Sequence, residues 1–392
     1  MNILLLTQFF STTRGGGEYV FSVIAKNLAK NGHQVYVITN EVIGEKYPTE
    51  KNLNLILIKP TLEYKGGLPP TFIDNLRYTV NAIKYGKSLI KNKNIDIIHS
   101  NNFAPTLAGS ILSFITSKPH IIAVHDIFSL CGKNYWKRWA NQYKVSKLNA
   151  TLAPIFEKLM LRLKHDCIHT VSEATRDDLI KFGEKKPIHV IPNSIEENNL
   201  VAASTIPTQF VFVGRLVFYK NLEVVLHAVD IVRKKLPDIR LVLVGGGPYK
   251  NDLEKIVKEK GIQANVEFRG FVEAQEKLRI IAQSNALVLP SLCEGFGLVI
   301  LEAFSQKKPV LVSKIRPMSD IVSDENAGFI LDPYDEKVWA DSLLRLSNEP
   351  SLSEKMGKNG FDMLQTKYNQ GLMYQKLMGM YNQVVTNSSL IN

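Results

Sequence analysis

The sequence predicts an α/β protein of two domains, each built on a parallel sheet covered by helices on both faces. Three observations predict it. Short apolar strands alternate with helical patterns almost throughout the chain, the pattern of strand–helix–strand units whose sheets are buried on both sides. The alternation breaks once, at Pro192–Thr208, where PNSIEENNLVAASTIPT is polar, carries two prolines and has no helical face. A length of 392 residues is enough for two cores of ordinary size.

Taken in order, Asn2–Thr7 is a continuous apolar strand, followed by a glycine run at Gly15–Gly17 and a helix with Val20, Val23, Ile24 and Leu28 on one face. Strands follow at Gln34–Thr39 and Leu53–Ile58, a helix around Asn75–Ile90, and strands at Ile95–His99 and Ile121–Val124. A stretch rich in Lys, Trp and Tyr interrupts the order between about Ser129 and Lys164. Regular units resume with Cys167–Val171, a helix at Glu173–Phe182 and a strand at Ile188–Ile191. Beyond the break come Phe210–Val213, helix 221–236, Arg240–Val244, helix 250–260, Val266–Phe268, helix 274–283, Ala286–Pro290, helix 297–305 and Val310–Val312. From about Ser351 the chain is helical and polar.

Composition narrows the function classes. Hydrophobic residues make up 45% and charged residues 22%, the balance of a globular protein. The opening MNILLLTQFF lacks a basic n-region and a small-residue cleavage site, so it reads as a buried strand. No run reaches the roughly 18 apolar residues that span a bilayer. The three cysteines, Cys131, Cys167 and Cys293, are odd in number and scattered, so no disulfide framework and a reducing cytoplasm are expected. Residues 1–200 hold 25 Lys and Arg against 16 Asp and Glu, a net +9, whereas the remainder holds 23 against 21, a net +2. Eight basic residues and one acid, Glu157, fall within 133–164, a balance that suits an anionic partner or a solvated basic face.

Several constellations carry chemistry. The glycine run between the first strand and helix lets backbone N–H groups approach a ligand, although a tight turn accounts for it equally well. His125–Asp126 ends a strand, where the ligand crevice of an open α/β sheet lies, or else forms a buried structural pair. Arg215 follows the strand FVFVG, and Lys220 comes five residues later. Two cations at one strand end suit a diphosphate, the guanidinium as a fork and the ammonium as a point charge. VGGGP at Val244–Pro248 ends another strand and suits a crevice wall, although a plain turn is the simpler reading. The strongest signal is SLCEGFGLVILEAF, in which Glu294 and Gly295 turn the chain and a helix starts near Gly297. The amides of Phe296, Gly297, Leu298 and Val299 then form a helix N-terminus suited to phosphate oxygens. Glu294 and Glu302 carry carboxylates that accept from pairs of sugar or ribose hydroxyls. No CxxC, HExxH or clustered DxD points to a metal, and no GxSxG to a serine hydrolase.

FVGRL with Lys220 downstream, LVLVGGGP, RGFV, the Glu-x7-Glu stretch EGFGLVILE, VSEATRDDL and VIPNSI together resemble retaining glycosyltransferase family 4 in order and spacing. The resemblance covers nearly the whole chain. It implies the GT-B fold: two Rossmann-like domains facing across a cleft, 1–200 on the acceptor side and 201–369 holding the nucleotide-sugar, with a last helix at about 370–392 crossing back to the first domain. It implies that Arg215 and Lys220 grip the diphosphate, that Glu302 binds the ribose, and that Glu294 holds the transferred sugar. Phe296–Val299 would lend backbone amides, Gly16 and Gly17 would approach the diphosphate, Phe271 and Val272 would lie near the base, and His125 would touch the donor sugar. The chemistry implied is metal-independent, same-face transfer from a UDP- or GDP-linked sugar to a glycan or lipid-linked acceptor, with no further cofactor.

Three departures from the family pattern stand out: Asn221 where glycine is frequent after the lysine, Cys293 before Glu294, and a long segment after His125. Cys293 is expected to be inert packing. In that long segment Tyr135, Trp136, Trp139 and Tyr143 lie among cations, and Leu152, Ile155, Phe156, Leu159 and Leu163 fall on one helical side. This combination suits peripheral contact with an anionic membrane at the inner face; the alternative is packing on the first domain. An epimerase or another enzyme on the same fold is the nearest competing class. A nucleic-acid-binding protein would leave Arg215, Glu294 and Glu302 unexplained.

Overall fold

A computed structural model of the chain describes residues 1–12, 16–63, 72–132, 134–144, 146–196, 200–323 and 326–391. Gly15 and Lys133 lie outside the described residues. The elements are β1 (Asn2–Leu6), α1 (Gly17–Lys30), β2 (Gln34–Val42), β3 (Leu53–Leu62), α2 (Phe72–Lys93), β4 (Ile97–Ser100), α3 (Ala104–Thr116), β5 (His120–Val124), α4 (Tyr135–Tyr143), α5 (Lys147–Met160), β6 (Cys167–Thr170), α6 (Glu173–Phe182) and β7 (Ile188–Val190). After the break come β8 (Ile206–Val213), α7 (Leu222–Val232), β9 (Arg240–Val244), α8 (Lys250–Glu259), β10 (Val266–Gly270), α9 (Ala274–Gln283), β11 (Ser284–Leu289), α10 (Leu298–Ser305), β12 (Val310–Ser313), α11 (Met318–Ser323), β13 (Gly328–Leu331), α12 (Glu336–Asn348), α13 (Pro350–Lys367) and α14 (Gln370–Ile391).

The chain forms two compact units. Unit 1 comprises Met1–Leu130, Thr151–Glu196 and Gln370–Asn392; unit 2 comprises Cys131–Ala150 and Glu197–Asn369. Unit 1 holds a seven-stranded sheet in the order β3-β2-β1-β4-β5-β6-β7, and unit 2 a six-stranded sheet in the order β10-β9-β8-β11-β12-β13. Neighbouring strands run parallel. The central strands are apolar on both faces because helices cover both: Ile3 to Leu6 and Leu287 to Leu289 are essentially inaccessible. The last helix, α14, belongs to unit 1, where Met373, Leu377 and Tyr381 are buried.

Local chemistry fixes several boundaries that the sequence pattern marks. α6 begins where the Ser172 side chain accepts from the Thr175 N–H and stops at Gly183 with φ 98°. The elements the sequence reading left out, α3, α11, β13 and α12, include short ones and one helix that is apolar on most sides. In α3, eight residues from Ala104 to Ser113 are buried, so no polar stripe betrays its period.

Each sheet reverses its order once. In unit 1 the reversal falls between β1 and β4, and in unit 2 between β8 and β11. Loops leaving the carboxyl ends of two such strands run in opposite directions and leave a crevice, the usual ligand position in open parallel sheets. The loop after β8 carries Arg215 and Lys220, and the loop after β11 carries Glu294.

VGGGP is more than a plain turn. Gly214 N–H donates to the Val244 carbonyl and Leu216 N–H to the Gly246 carbonyl, both at 3.0 Å, so this turn holds the backbone on either side of Arg215. The approach is close enough to demand glycine: a Cβ on Gly245 would lie 2.0 Å from the Gly214 carbonyl oxygen, and φ there is 124°. Gly245→Ala should therefore destabilise unit 2 by about 2–4 kcal/mol. All three tryptophans (Trp136, Trp139 and Trp339) lie in unit 2, so a lowered urea midpoint followed by tryptophan fluorescence checks this.

Candidate functional site

The unit 2 crevice gathers residues from four segments. Lys220, in a short 3-10 turn ahead of α7, pairs with the Glu294 carboxylate; the side chains are 13% and 14% exposed. Ser291 Oγ also donates to Glu294 Oε1 at 2.9 Å. Two opposite charges so far removed from water stabilise one another, and removing either leaves the other uncompensated. Neither cation is followed four residues on by a carboxylate, since Tyr219 and Val224 stand there. The fold instead supplies Lys220 with a carboxylate 74 residues away.

Arg215 Nη2 donates to the Tyr219 hydroxyl at 3.1 Å. Tyr219 was not singled out from the sequence, yet it organises this corner. Its carbonyl accepts from the Leu292 N–H at 2.8 Å, joining the loops after β8 and β11. Its ring lies 5.7 Å from that of Tyr135 and 5.4 Å from that of Phe218. An aromatic residue next to the candidate lysine was the available signal. Arg138 stacks over the Phe218 ring at 4.4 Å. The aromatics of α4 thus pack inside unit 2: Tyr135 is buried, and Trp136 and Trp139 are half-buried.

The cysteine expectation needs correction. Cys131 and Cys293 are joined by a disulfide that links residues 162 positions apart, and only Cys167 is free. Cys293 is therefore not inert packing: it ties the start of the α4 segment to the residue before Glu294. Pairing could not be read from spacing because folding, not chain proximity, brings the Cα atoms to 5.3 Å. The cysteine count accordingly says nothing about the redox compartment.

α10 starts at Leu298 behind Gly297, whose φ is 88°, and no side chain caps it. A Cβ on Gly297 would meet Ile300 at 3.1 Å. The amides that open α10 are therefore presented by a turn that favours glycine. The Phe296 side chain is buried, its ring 5.7 Å from that of Tyr368. Glu302, one turn further on, accepts from Lys277 of α9 at 2.6 Å. Phe271, which follows β10, is 74% exposed, and Val272 is half-buried. Among the described residues no group of three or more His, Cys, Asp or Glu is placed to hold a metal ion.

In unit 1, α1 begins at Gly17 with Gly16 as its N-cap. Gly17 packs against the candidate His125 and against Asn101, which the sequence did not single out: a Cβ there would lie 3.2 Å from the His125 ring and 3.3 Å from the Asn101 amide. Gly17 follows β1 and Asn101 follows β4, the two strands at the unit 1 reversal, and His125 follows β5, the next strand. His125 Nε2 is buried with no hydrogen-bond partner among the described residues, and burial pushes its pKa down to about 4. Beneath it runs a chain the sequence did not reveal. His169 Nδ1 is 3.2 Å from His99 Nε2, and His99 Nδ1 is 2.8 Å from the Tyr381 hydroxyl of α14.

Two family models tile the chain: one described as "Glycosyltransferase Family 4" over residues 14–199 and one as "Glycosyl transferases group 1" over residues 196–363. The chain belongs to glycosyltransferase family 4. It is thus an enzyme of the hexosyltransferase class on a GT-B fold. An uncharacterized glycosyltransferase of Methanocaldococcus jannaschii is 22% identical over 97% of this chain and 98% of its own length. The capsular polysaccharide biosynthesis glycosyltransferase CapM of Staphylococcus aureus is 24% identical over 73% of this chain and 76% of its own. The alpha-D-kanosaminyltransferase of Streptomyces kanamyceticus is 28% identical, but the match spans only 45% of that protein. Among solved structures, a sucrose-phosphate synthase from Thermosynechococcus elongatus superposes with a TM-score of 0.80 at 20% identity, covering 98% of this chain and 99% of that one. Anabaena HepE in complex with UDP gives 0.71 at 18% identity, covering 98% and 100%.

The buried histidines make unit 1 sensitive to acid. Burial lowers His120 and His125 to about 4 and His169 to about 3, and holds His99 well below its usual value. The unfolded chain takes up these protons near pH 6.5 while the folded chain refuses them. Stability is therefore fully present above about pH 7 and falls as the pH drops from 6.5 toward 4, by up to roughly 1.4 kcal/mol per histidine per pH unit. Urea titrations across that range should show this slope, and His125→Asn should reduce it by the share of one proton.

Proposed function

We propose that the enzyme transfers a sugar from a UDP- or GDP-linked donor to a glycan or lipid-linked acceptor, with retention at the anomeric carbon and without a metal ion. The observation that carries this reading is the crevice at the unit 2 strand reversal, where Arg215, Lys220, Glu294 and the opening amides of α10 converge from the loops after β8 and β11. Arg215 and Lys220 neutralise the diphosphate, and Lys220 exchanges part of its pairing with Glu294 for phosphate oxygens. Glu294 accepts from hydroxyls of the transferred sugar, Glu302 from the ribose, and Phe296–Val299 offer backbone amides. Phe271 and Val272 lie beside the base. In unit 1, Gly16 and Gly17 offer backbone amides, and the unpartnered Nε2 of His125 suits a sugar hydroxyl. The complexes of HepE with UDP and with UDP-glucose support a nucleotide-sugar donor, and the name of CapM supports polysaccharide biosynthesis.

In the reaction the bond between the anomeric carbon and the diphosphate oxygen breaks, and its electron pair leaves with the nucleoside diphosphate. The acceptor hydroxyl attacks the same face, and its proton passes to a leaving phosphate oxygen. Fixed cations beside that oxygen lower the barrier because charge develops there in the transition state. Arg215→Ala and Lys220→Ala should each reduce kcat/KM by about 30- to 1000-fold, or about 2–4 kcal/mol. Glu302→Ala should chiefly raise the donor KM. Chelators should leave the rate unchanged, and product NMR should show the donor's anomeric configuration. Intact transfer in the double alanine variant would refute the reading, and release of free sugar without any acceptor would assign an epimerase instead.

A further inference from the structure

We infer that the solvent face of α5 is a docking surface for an anionic lipid bilayer, which places the enzyme's transfer reaction at a membrane surface. This rests on the proposed glycosyltransferase function for its purpose, but not for its evidence.

α5 is turned inside out. Leu148, Leu152, Ile155, Phe156 and Leu159 fall within an arc of about 100° at 100° per residue, and all five are exposed, Ile155 at 61% and Phe156 at 53%. The opposite side carries Glu157, the single acid within 133–164. Glu157 is buried, and its carboxylate accepts from the Phe128 N–H at 2.8 Å and the Ser129 N–H at 3.0 Å. The helix is thus anchored to unit 1 through a carboxylate and turns its apolar side outward, the reverse of a helix that covers a core. Leu163 lies beyond the end of α5 and is not part of this arc.

Charge selects the occupant. Lys158, whose Nζ lies 5.9 Å from the centre of the Phe182 ring, and Arg162 and Lys164 just beyond the end of α5 are exposed, and none has an ion-pair partner among the described residues. Lys164 Nζ is 3.1 Å from the Ser113 carbonyl and lies 6.0 Å from the centre of the Phe114 ring. Phe114 and Ile115, at the end of α3, are exposed at 76% and 48%, a further apolar surface with Phe114 beside Lys164. An apolar arc edged by unpaired cations, its acid turned inward, matches a helix lying in the headgroup region of an anionic bilayer. A twofold contact with a second copy would set these cations against one another. The α4 aromatics are spent inside unit 2, so the surface lies on α5 and the end of α3.

The test uses the full chain and vesicles of phosphatidylcholine with or without phosphatidylglycerol, read by co-sedimentation with neither donor nor acceptor present. Binding should be stronger on the order of tenfold or more to the anionic vesicles and should weaken with salt. Ile155→Glu combined with Phe156→Glu should abolish binding. Lys158→Glu combined with Arg162→Glu should remove the preference for anionic lipid. Both variants should keep the thermal midpoint and the transfer rate on a soluble acceptor, because these side chains are exposed. Wild-type-like vesicle binding by the Ile155/Phe156 variant, or no lipid binding by the parent, would overturn the inference. So would a dimer in sedimentation that the same variant dissolves, which would give the face to a second copy. If docking fails while soluble transfer persists, the proposed function stands; if transfer fails while docking persists, only that function falls.

Discussion

The arrangement depends on how the chain carries opposite charges into the mouth of the unit 2 sheet. Lys220 and Glu294 are each too shielded from water to be held alone, so each requires the other or an equivalent charged partner. That requirement ties the loop after β8 to the loop after β11 at the point where the strand order reverses. A parallel sheet opens a crevice there whatever its sequence; the charge pair gives this crevice a chemical preference.

Around that pair the backbone is unusually constrained. The glycines after β9 let two loops approach to distances no side chain would permit, and the carbonyls of Val244 and Gly246 receive the amides on both sides of Arg215. Tyr219 then joins the Arg215 guanidinium to the loop after β11 through its hydroxyl and its carbonyl. The Cys131–Cys293 disulfide and the packing of Tyr135 and Arg138 bring a segment from the middle of the chain against the same corner. A cation so framed loses little freedom when it meets a phosphate, which is the condition for electrostatic stabilisation of a leaving group.

Unit 1 uses a different device. Its strand ends are occupied by histidines that burial keeps neutral, linked through His169 and His99 to Tyr381 on the last helix. The segment between β5 and β6 does two jobs. α4 packs against Phe218 and Tyr219 in unit 2, while α5 is pinned to unit 1 by Glu157 and leaves an apolar arc outside. One basic, aromatic stretch of sequence therefore divides into an interior part and an exterior part.

Much of this was legible in the chain itself. Parallel strands announce themselves as short apolar runs because both faces are buried, and glycine and charge at the strand ends mark loops that cannot be ordinary turns. Arg215, Lys220, Glu294 and Glu302 could be picked out for that reason, and the ends of α6, β9 and α9 fell where the pattern put them. What the sequence could not give is who meets whom. The pairing of Lys220 with Glu294, of Cys131 with Cys293, and of His99 with Tyr381 joins residues 74, 162 and 282 positions apart. Nor could it tell which aromatic cluster in the basic segment is interior, since helical periodicity shows that a face is apolar but not which way it points. Periodicity and turn chemistry are local properties written in the order of residues. Long-range partnership and the orientation of a face are set only when the sheets close and fix which surfaces remain for water.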